Sequence, residues 1–400
     1  MAERHPHAGT WQEVLGVFFR LGLTSFGGPV AHLGYFRETF VVRRQWLDER
    51  AYADLIALCQ FLPGPASSQT GLAIGLARAG LPGALAAWTG FTLPSALALV
   101  LFAYGLGALG EVSGAGWLGG LKIAAVAVVA QAVFGMARSL CPDRERATFA
   151  VFATLIVLAV PGALGQVGAI ALGGLAGLLL LRSKTQGSQP GSALQIPLGR
   201  RFALVCLALF FTLLLGLPLL RAALGSEPLA LFETFYRAGS LVFGGGHVVL
   251  PLLQEGVVGP GWVSEDAFLA GYGAAQAVPG PLFTFSAYLG VMSGQGLAGA
   301  VIALVGIFLP AFLLVFGTLP FWALLRARPD AQAALAGVNA AVVGLLLAAL
   351  YDPVWTSAIH RPADFGLAAT AFLALQIWRL PPWLVVVGAA VIAGLLASLA

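Results

Sequence analysis

Long apolar runs without a charge dominate the pattern of hydrophobic and polar positions. No Asp, Glu, Lys or Arg occurs from 267 to 325 or from 147 to 181. A helix crosses a bilayer with about 20 apolar residues, so these runs accommodate several spans. They are continuous, unlike the alternating strands of a membrane barrel. The pattern predicts an all-α polytopic membrane protein with about 13 hydrophobic segments.

The sequence repeats itself at an offset of 216–217 residues. RLGLTSFGGPV (20–30) aligns with RAGSLVFGGGH (237–247), and QFLPGP (60–65) aligns with QAVPGP (276–281). We therefore predict two related repeats. The expected order is a cytoplasmic tail (1–10), the first repeat (11–181), a polar basic linker (182–201), one connecting transmembrane helix (202–222) and the second repeat (229–400). A single span between repeats with an even number of crossings would invert the second repeat, as in secondary transporters.

Four helix breakers interrupt the apolar segments, at 26–29, 62–65, 243–246 and 278–281. The loop after the first break contains four arginines, whereas its partner at 254–266 contains no Arg or Lys. Basic loops stay on the cytoplasmic side. This asymmetry favours hairpins at 11–35 and 51–78 that enter from the cytoplasm, and hairpins at 229–251 and 267–295 from the opposite side. In the alternative, these segments cross fully, which gives 13 crossings and the same inverted arrangement.

The amino-acid composition narrows the range of possible functions. The chain has 400 residues, of which 59% are hydrophobic and 10% charged, against about 25% charged in soluble domains. The three cysteines show no metal-binding or disulfide spacing, so we expect no cofactor and no metal. The chain begins without a signal-peptide pattern. There is no HExxH motif and the acidic residues cluster in loops, so we expect a protein that is not an enzyme.

The breaks are the candidate binding site. A helix that restarts after a break presents free N–H groups and a partial positive charge, which suit an anion. Glycines for close packing and prolines for simple kinks are the structural alternative. The candidate substrate-binding residues are the break residues and nearby polar groups: Arg20, Gly27, Gly28, Gln60, Pro63, Gly64, Ser67, Ser68, Lys122, Arg237, Gly244, Gly245, Gln276, Pro279, Gly280, Thr284, Ser286 and Asn339.

Two arginines indicate the charge of the expected ligand. Arg20 and Arg237 each lie six residues before an FGG break. A charge inside a membrane helix is costly, so a matched pair suggests a shared central cavity that binds a dianion; snorkelling to the membrane surface is the alternative. His32, Asp54, Glu233 and His247 are candidates for proton coupling, although a structural role is an alternative for the histidines.

Several of these motifs resemble the chromate ion transporter family. They are FGGP…H (26–32), WLD (46–48), QxxPGP (60–65 and 276–281) and FGGGH (243–247). The resemblance implies 13 segments with opposed halves and a carrier that exports chromate across the inner membrane and confers chromate resistance. A transporter of sulfate or another oxyanion, or an anion channel, is the alternative. The expected partners are a chromate- or sulfate-like oxyanion, the lipid bilayer and a second copy in a homodimer, but no nucleic acid.

Overall fold

The computed structural model describes residues 9–108, 116–182, 198–243 and 246–399. These residues form helices and connecting turns without a strand, which confirms the all-α prediction for the described part of the chain. Five of its helical stretches are long and apolar enough to cross a membrane: Ala66–Ala108, Gly116–Leu140, Arg200–Leu224, Leu282–Leu325 and Pro329–Trp355. The protein is therefore a multi-pass membrane protein. The total of 13 segments stays a prediction.

The described residues of the first half form seven helices. They are α1 (Trp11–Thr24), α2 (Gly28–Phe36), which continues into a π-helical turn (Arg37–Arg43), α3 (Glu49–Phe61), α4 (Ala66–Ala108), α5 (Gly116–Leu140), α6 (Arg144–Ala159) and α7 (Ala163–Leu180). A separate helix, α8 (Arg200–Leu224), lies where the sequence predicts one connecting helix. Helix α8 has a broad exposed apolar surface of the kind that faces lipid, because side chains such as Leu215 and Leu219 are largely exposed.

The second half follows the same order. It contains α9 (Glu227–Leu241), a 3₁₀ turn (Gly246–Val248), α10 (Val249–Val257), α11 (Glu265–Ala277), a 3₁₀ turn (Leu282–Thr284), α12 (Phe285–Gly290), a π-helical turn (Val291–Gln295), α13 (Gly296–Thr318), the short α14 (Trp322–Arg326), α15 (Pro329–Ala349), a π-helical turn (Leu350–Trp355), α16 (Pro362–Gln376) and α17 (Pro382–Leu399). The first break in this half includes Gly244 and Gly245, which lie outside the described residues.

The residues that cap and bend the helices recur at equivalent positions in the two halves. The Asp48 side chain accepts a hydrogen bond from the Ala51 amide and begins α3, and Ser264 does the same for Ala267 at the start of α11. Such caps satisfy the otherwise free N–H groups of a first turn. Gly80 bends α4 with a φ of 65°, and Gly296 begins α13 with a φ of 56°. Glycine adopts this left-handed conformation without the steric cost of a Cβ.

The first two predicted hairpin segments begin and end in one charged cluster. Glu13, in the first turn of α1, pairs with Arg44 at 3.5 Å and with Arg78 at 3.1 Å. The Arg78 guanidinium also lies 4.9 Å from the centre of the Trp46 ring. The chain therefore returns to its starting point twice, once between residues 13 and 44 and again between residues 46 and 78.

Small residues allow the returning arms to pack closely. Gly75 and Gly83 face each other across the bend in α4, and a Cβ on either would collide with the other's carbonyl group. Gly22 on α1 lies equally close to the backbone of Gly90 on α4. Close backbone contact of this kind stabilises helix pairs where no water is present to drive association.

Candidate functional site

The breaks of the two halves are joined by reciprocal backbone hydrogen bonds. The Gly64 N–H donates to the Val242 carbonyl at 2.6 Å, and the Gly280 N–H donates to the Ser25 carbonyl at 2.9 Å. Gly64 and Gly280 are equivalent in the repeat, and so are Ser25 and Val242. Each PGP break therefore holds the first break of the other half. The site lies at the interface between the halves and uses both.

Glycine and proline produce this geometry for separate reasons. Gly64 and Gly280 have φ values of 122° and 99°, and Gly27 has a φ of 97°, a region that a side chain disfavours. Proline has no N–H to continue a helix. The carbonyl groups left free by the breaks find side chains: the Gln69 amide donates to Pro63 at 2.8 Å, and the Thr284 hydroxyl donates to Pro281 at 2.7 Å.

A small cavity lies beside the breaks. Its volume of about 20 Å³ is enough for roughly one water molecule. Among the described residues, it is lined by Gly27, Gly28, Pro29, His247, Ala275, Gln276, Val278, Gly280, Leu282 and Pro382. No lysine or arginine is in this set. We call this space the break cavity.

Two histidines support the breaks. His32 is buried, with Nε2 at 3.2 Å from the Ser25 carbonyl oxygen and Nδ1 at 3.3 Å from the Ser67 hydroxyl. A carbonyl oxygen only accepts, so Nε2 donates, and a neutral ring then accepts from Ser67 at Nδ1. His32 thus fastens the first break to α4. In the second half, His247 Nδ1 lies 2.8 Å from the Tyr272 hydroxyl.

Several buried polar atoms near the breaks have no hydrogen-bond partner within the described structure. They are the hydroxyls of Ser25, Ser68 and Ser286 and Oε1 of Gln69. A buried polar group without a partner costs about 1–3 kcal/mol. Native proteins keep few such groups, so their concentration beside the breaks indicates a site that a polar ligand can complete.

The structure does not place the two predicted arginines as a pair. The Arg20 side chain is exposed on α1, whereas Arg237 Nε binds the Glu233 carboxylate at 3.0 Å. Glu233 is buried and also accepts from Arg221 at 2.9 Å. Neither predicted arginine lines the break cavity. The sequence offset aligns the two positions, but the structure places their side chains in different surroundings.

The other residues predicted to act in binding or proton coupling lie in several different parts of the structure. Gln60 is exposed, and the buried Gln69 is the glutamine that binds the first PGP break. Asp54 lies on α3, outside the break cavity. Asn339, on α15, has a buried Oδ1 without a partner in the described structure. Sequence analysis missed the roles of Ser25, Gln69 and Tyr272. For Ser25 the signal was a polar residue immediately before a helix breaker, and for Gln69 it was a polar residue one helical turn after one.

A second and larger cavity, of about 860 Å³, opens between α5, α11, α16 and α17. Lys122 lines it and binds Asp266 at 2.8 Å, which connects α5 of the first half to α11 of the second. Ser357, His360 and Arg361 add further polar groups. Helix α11 leads from this cavity at Asp266 towards the break cavity at Gln276. Lys122 thus lies at the far end of α11 from the breaks.

Apolar membrane helices that are interrupted at a shared polar site define a membrane transporter, because irregular backbone at membrane depth is tolerated only against protein or a water-filled cavity. The chromate transporter family model matches residues 12–178 and again 229–395. The chain belongs to the chromate transporter family.

The similar proteins cover nearly the whole chain. The chromate transport protein of Pseudomonas aeruginosa is 30% identical over 94% of this chain and 90% of its own length. A probable chromate transport protein of Synechococcus elongatus is 27% identical over 97% and 95%. The chromate transport protein of Cupriavidus metallidurans is 27% identical over 96% and 92%. No solved structure matches the chain.

Proposed function

We propose that this protein is a secondary transporter that exports chromate across the inner membrane and so confers chromate resistance. The observation that carries the proposal is the reciprocal bonding of Gly64 to Val242 and of Gly280 to Ser25. These bonds join the breaks of the two halves, and Ser25, Ser68 and Ser286, within a few residues of the breaks, have buried hydroxyls without partners in the described structure. The relatives named as chromate transport proteins supply the substrate.

The same geometry supports opposite insertion of the two halves. Gly80 begins the long second arm of α4, and a Cβ on its equivalent, Gly296, would lie 3.3 Å from the Tyr104 hydroxyl near the far end of that arm. Gly80 and Tyr104 are 24 positions apart in α4, which corresponds to about 36 Å of helix at 1.5 Å per position. This length exceeds a hydrocarbon core of about 30 Å. Equivalent bends would then lie at opposite membrane surfaces, and the hairpins would enter from opposite sides.

The donors at the breaks suit a tetrahedral oxyanion. The first turn of α4 presents free amide groups, and its partial positive charge favours an anion. The Ser68 and Ser286 hydroxyls are buried without partners in the described structure and can donate to oxygen atoms. Sulfate has the same shape and charge as chromate. A carrier of sulfate or another oxyanion, or an anion channel, is therefore the second candidate function.

The described conformation is closed to substrate. The break cavity holds about one water molecule, so an oxyanion enters only if the halves move apart. Such a movement breaks one or both of the hydrogen bonds at Gly64 and Gly280. Each bond contributes about 1 kcal/mol. A dianion leaving an inside-negative cell gains about 2.3 kcal/mol per charge per 100 mV, which is sufficient to offset this cost.

Chromate uptake by everted inner-membrane vesicles tests the proposal. We expect the double variant Ser68→Ala/Ser286→Ala to lose most of the uptake, because it removes two donors and leaves the fold intact. Ser139→Ala is the matched control, since Ser139 is exposed at the end of α5. Uptake in the double variant equal to that of the control would contradict the proposed site. Competition by sulfate and molybdate then ranks the oxyanions, and uptake of sulfate alone would identify the second candidate function.

A further inference from the structure

We propose that His247 accepts a proton when an oxyanion binds in the break cavity, so that Nε2–H contacts the anion and the proton and the anion bind together. This inference rests on the proposed function. It means that one side chain, His247 in the second FGG break, carries the positive charge that compensates the negative charge of the substrate.

His247 is the only titratable side chain among the described residues that line the break cavity. The other lining groups are glycine, proline, alanine, valine and leucine residues and the neutral amide of Gln276. Burying an anion without a compensating charge is strongly unfavourable. Backbone amide dipoles and the Gln276 amide supply part of the compensation, and a proton on His247 is the full positive charge that this lining can provide.

Tyr272 fixes the orientation of the imidazole ring. The buried Tyr272 hydroxyl lies 2.8 Å from Nδ1, and the two rings meet edge to face with their centres 6.5 Å apart. Nε2 has no hydrogen-bond partner within the described residues. In the protonated ring both nitrogens donate: Nδ1–H to the Tyr272 oxygen, and Nε2–H to a ligand. A hydrogen bond from an imidazolium to an oxyanion is charge-assisted and therefore strong.

Among the described residues, no carboxylate lines the break cavity beside His247. The turn at 246–248 contacts α10, α15 and the turn at 282–284. Their charged groups are Glu255, near the end of α10, and Asp330, in the first turn of α15. Helix α11 carries Glu265 and Asp266 in its first turn, far along the helix from Tyr272, and α2 carries His32, which binds Ser25 and Ser67 instead.

An incoming anion is therefore the counter-ion that favours the imidazolium. One proton joins the imidazole ring as the anion binds and leaves as the anion is released, so no covalent bond changes except N–H. A dianion with one proton carries one net negative charge. Outward movement still follows an inside-negative potential, although with half the electrical driving force of the dianion alone.

Because proton uptake is coupled to anion binding, the affinity for the anion depends on pH. Where one proton is taken up with each anion, the dissociation constant rises about tenfold per pH unit. The dependence flattens at low pH, where the imidazole is already protonated before the anion arrives. Sulfate is the suitable probe, because it remains a dianion throughout the range in which an imidazole titrates.

The test measures sulfate binding to the purified full-length protein by calorimetry from about pH 5.5 to about 8.5. We expect the wild type to show the tenfold slope at the upper end and to take up one proton, measured in two buffers of different ionisation enthalpy. His247→Gln should bind without this slope, and Tyr272→Phe should keep it. His360→Gln is the matched control, because His360 lines the larger cavity, and it should behave like the wild type.

A wild-type affinity that does not change with pH overturns the proposal without any variant. It is equally overturned if His247→Gln keeps the slope or if His360→Gln loses it. If sulfate binds with the same affinity at every pH, the His247 inference fails and the proposed transport function is not contradicted. If neither sulfate nor chromate binds at any pH, the transport proposal and the His247 inference both fail.

Discussion

Alanine at position 280 is the sharpest perturbation of the contact between the halves. Gly280 has a φ of 99° and donates its N–H to Ser25. A Cβ there would lie 2.8 Å from the Ser95 hydroxyl and 3.2 Å from the Phe91 carbonyl oxygen. The hydroxyl can rotate, but the carbonyl belongs to the backbone of α4. The second PGP break would therefore shift away from α4 and from Ser25.

The size of the effect follows from two contributions. A non-glycine residue in this backbone region costs about 1–3 kcal/mol, and the lost hydrogen bond to Ser25 adds about 1 kcal/mol. The sum, about 2–4 kcal/mol, corresponds to a fall of about 30- to 700-fold in the equilibrium constant for forming the correct site. We expect Gly280→Ala to reduce chromate uptake in everted vesicles, with this factor as the upper limit of the loss.

Gly261→Ala is the matched control. Gly261 also has a positive φ, 77°, but a Cβ there meets no atom within 4 Å. It carries similar backbone strain and lies in the exposed turn between α10 and α11. Thermal unfolding of both variants in detergent separates lost stability from lost transport. Equal uptake by Gly280→Ala and Gly261→Ala, at equal protein levels, would refute the conclusion that the contact between the breaks forms the site.

Two further predictions concern charges, and a third concerns the orientation of the hairpins. Glu233→Gln should lower the free energy of unfolding by about 1–3 kcal/mol, measured by thermal unfolding, because two arginines lose a buried counter-ion; an unchanged melting temperature would contradict this. Lys122→Gln and Asp266→Asn should each lower the melting temperature slightly, because the ion pair connects α5 of the first half to α11 of the second; unchanged melting temperatures in both variants would contradict this role. Arg43→Cys and Pro260→Cys should react with an impermeant maleimide from opposite membrane faces; labelling from one face would contradict opposed hairpins.

The native cysteines give little background in that labelling experiment. Cys59 and Cys206 are buried. Burial raises the pKa of the Cys141 thiol to about 11, so little of the reactive thiolate is present at neutral pH. The introduced cysteines lie at exposed positions in the two loops and should dominate the signal.

The sequence by itself determined the class of the protein and the repeated order of its elements. Long charge-free runs require a hydrocarbon environment, and glycine and proline at 27–28, 63–65 and 279–281 break helices through local sterics that need no partner. The cap residues Asp48 and Ser264 likewise act on their own first turns. These features depend on neighbours in the chain, so they could be read from the sequence.

Only the tertiary structure decided which side chains meet. The offset between the repeats aligns Arg20 with Arg237, yet one is exposed and the other is bound to Glu233. Reciprocal contacts such as Gly64 to Val242 join residues far apart in the chain, and no periodicity predicts them. Helix rotation and the approach of the two halves determine which polar atoms remain unpaired beside the breaks, because these depend on packing between distant segments rather than on local backbone preference.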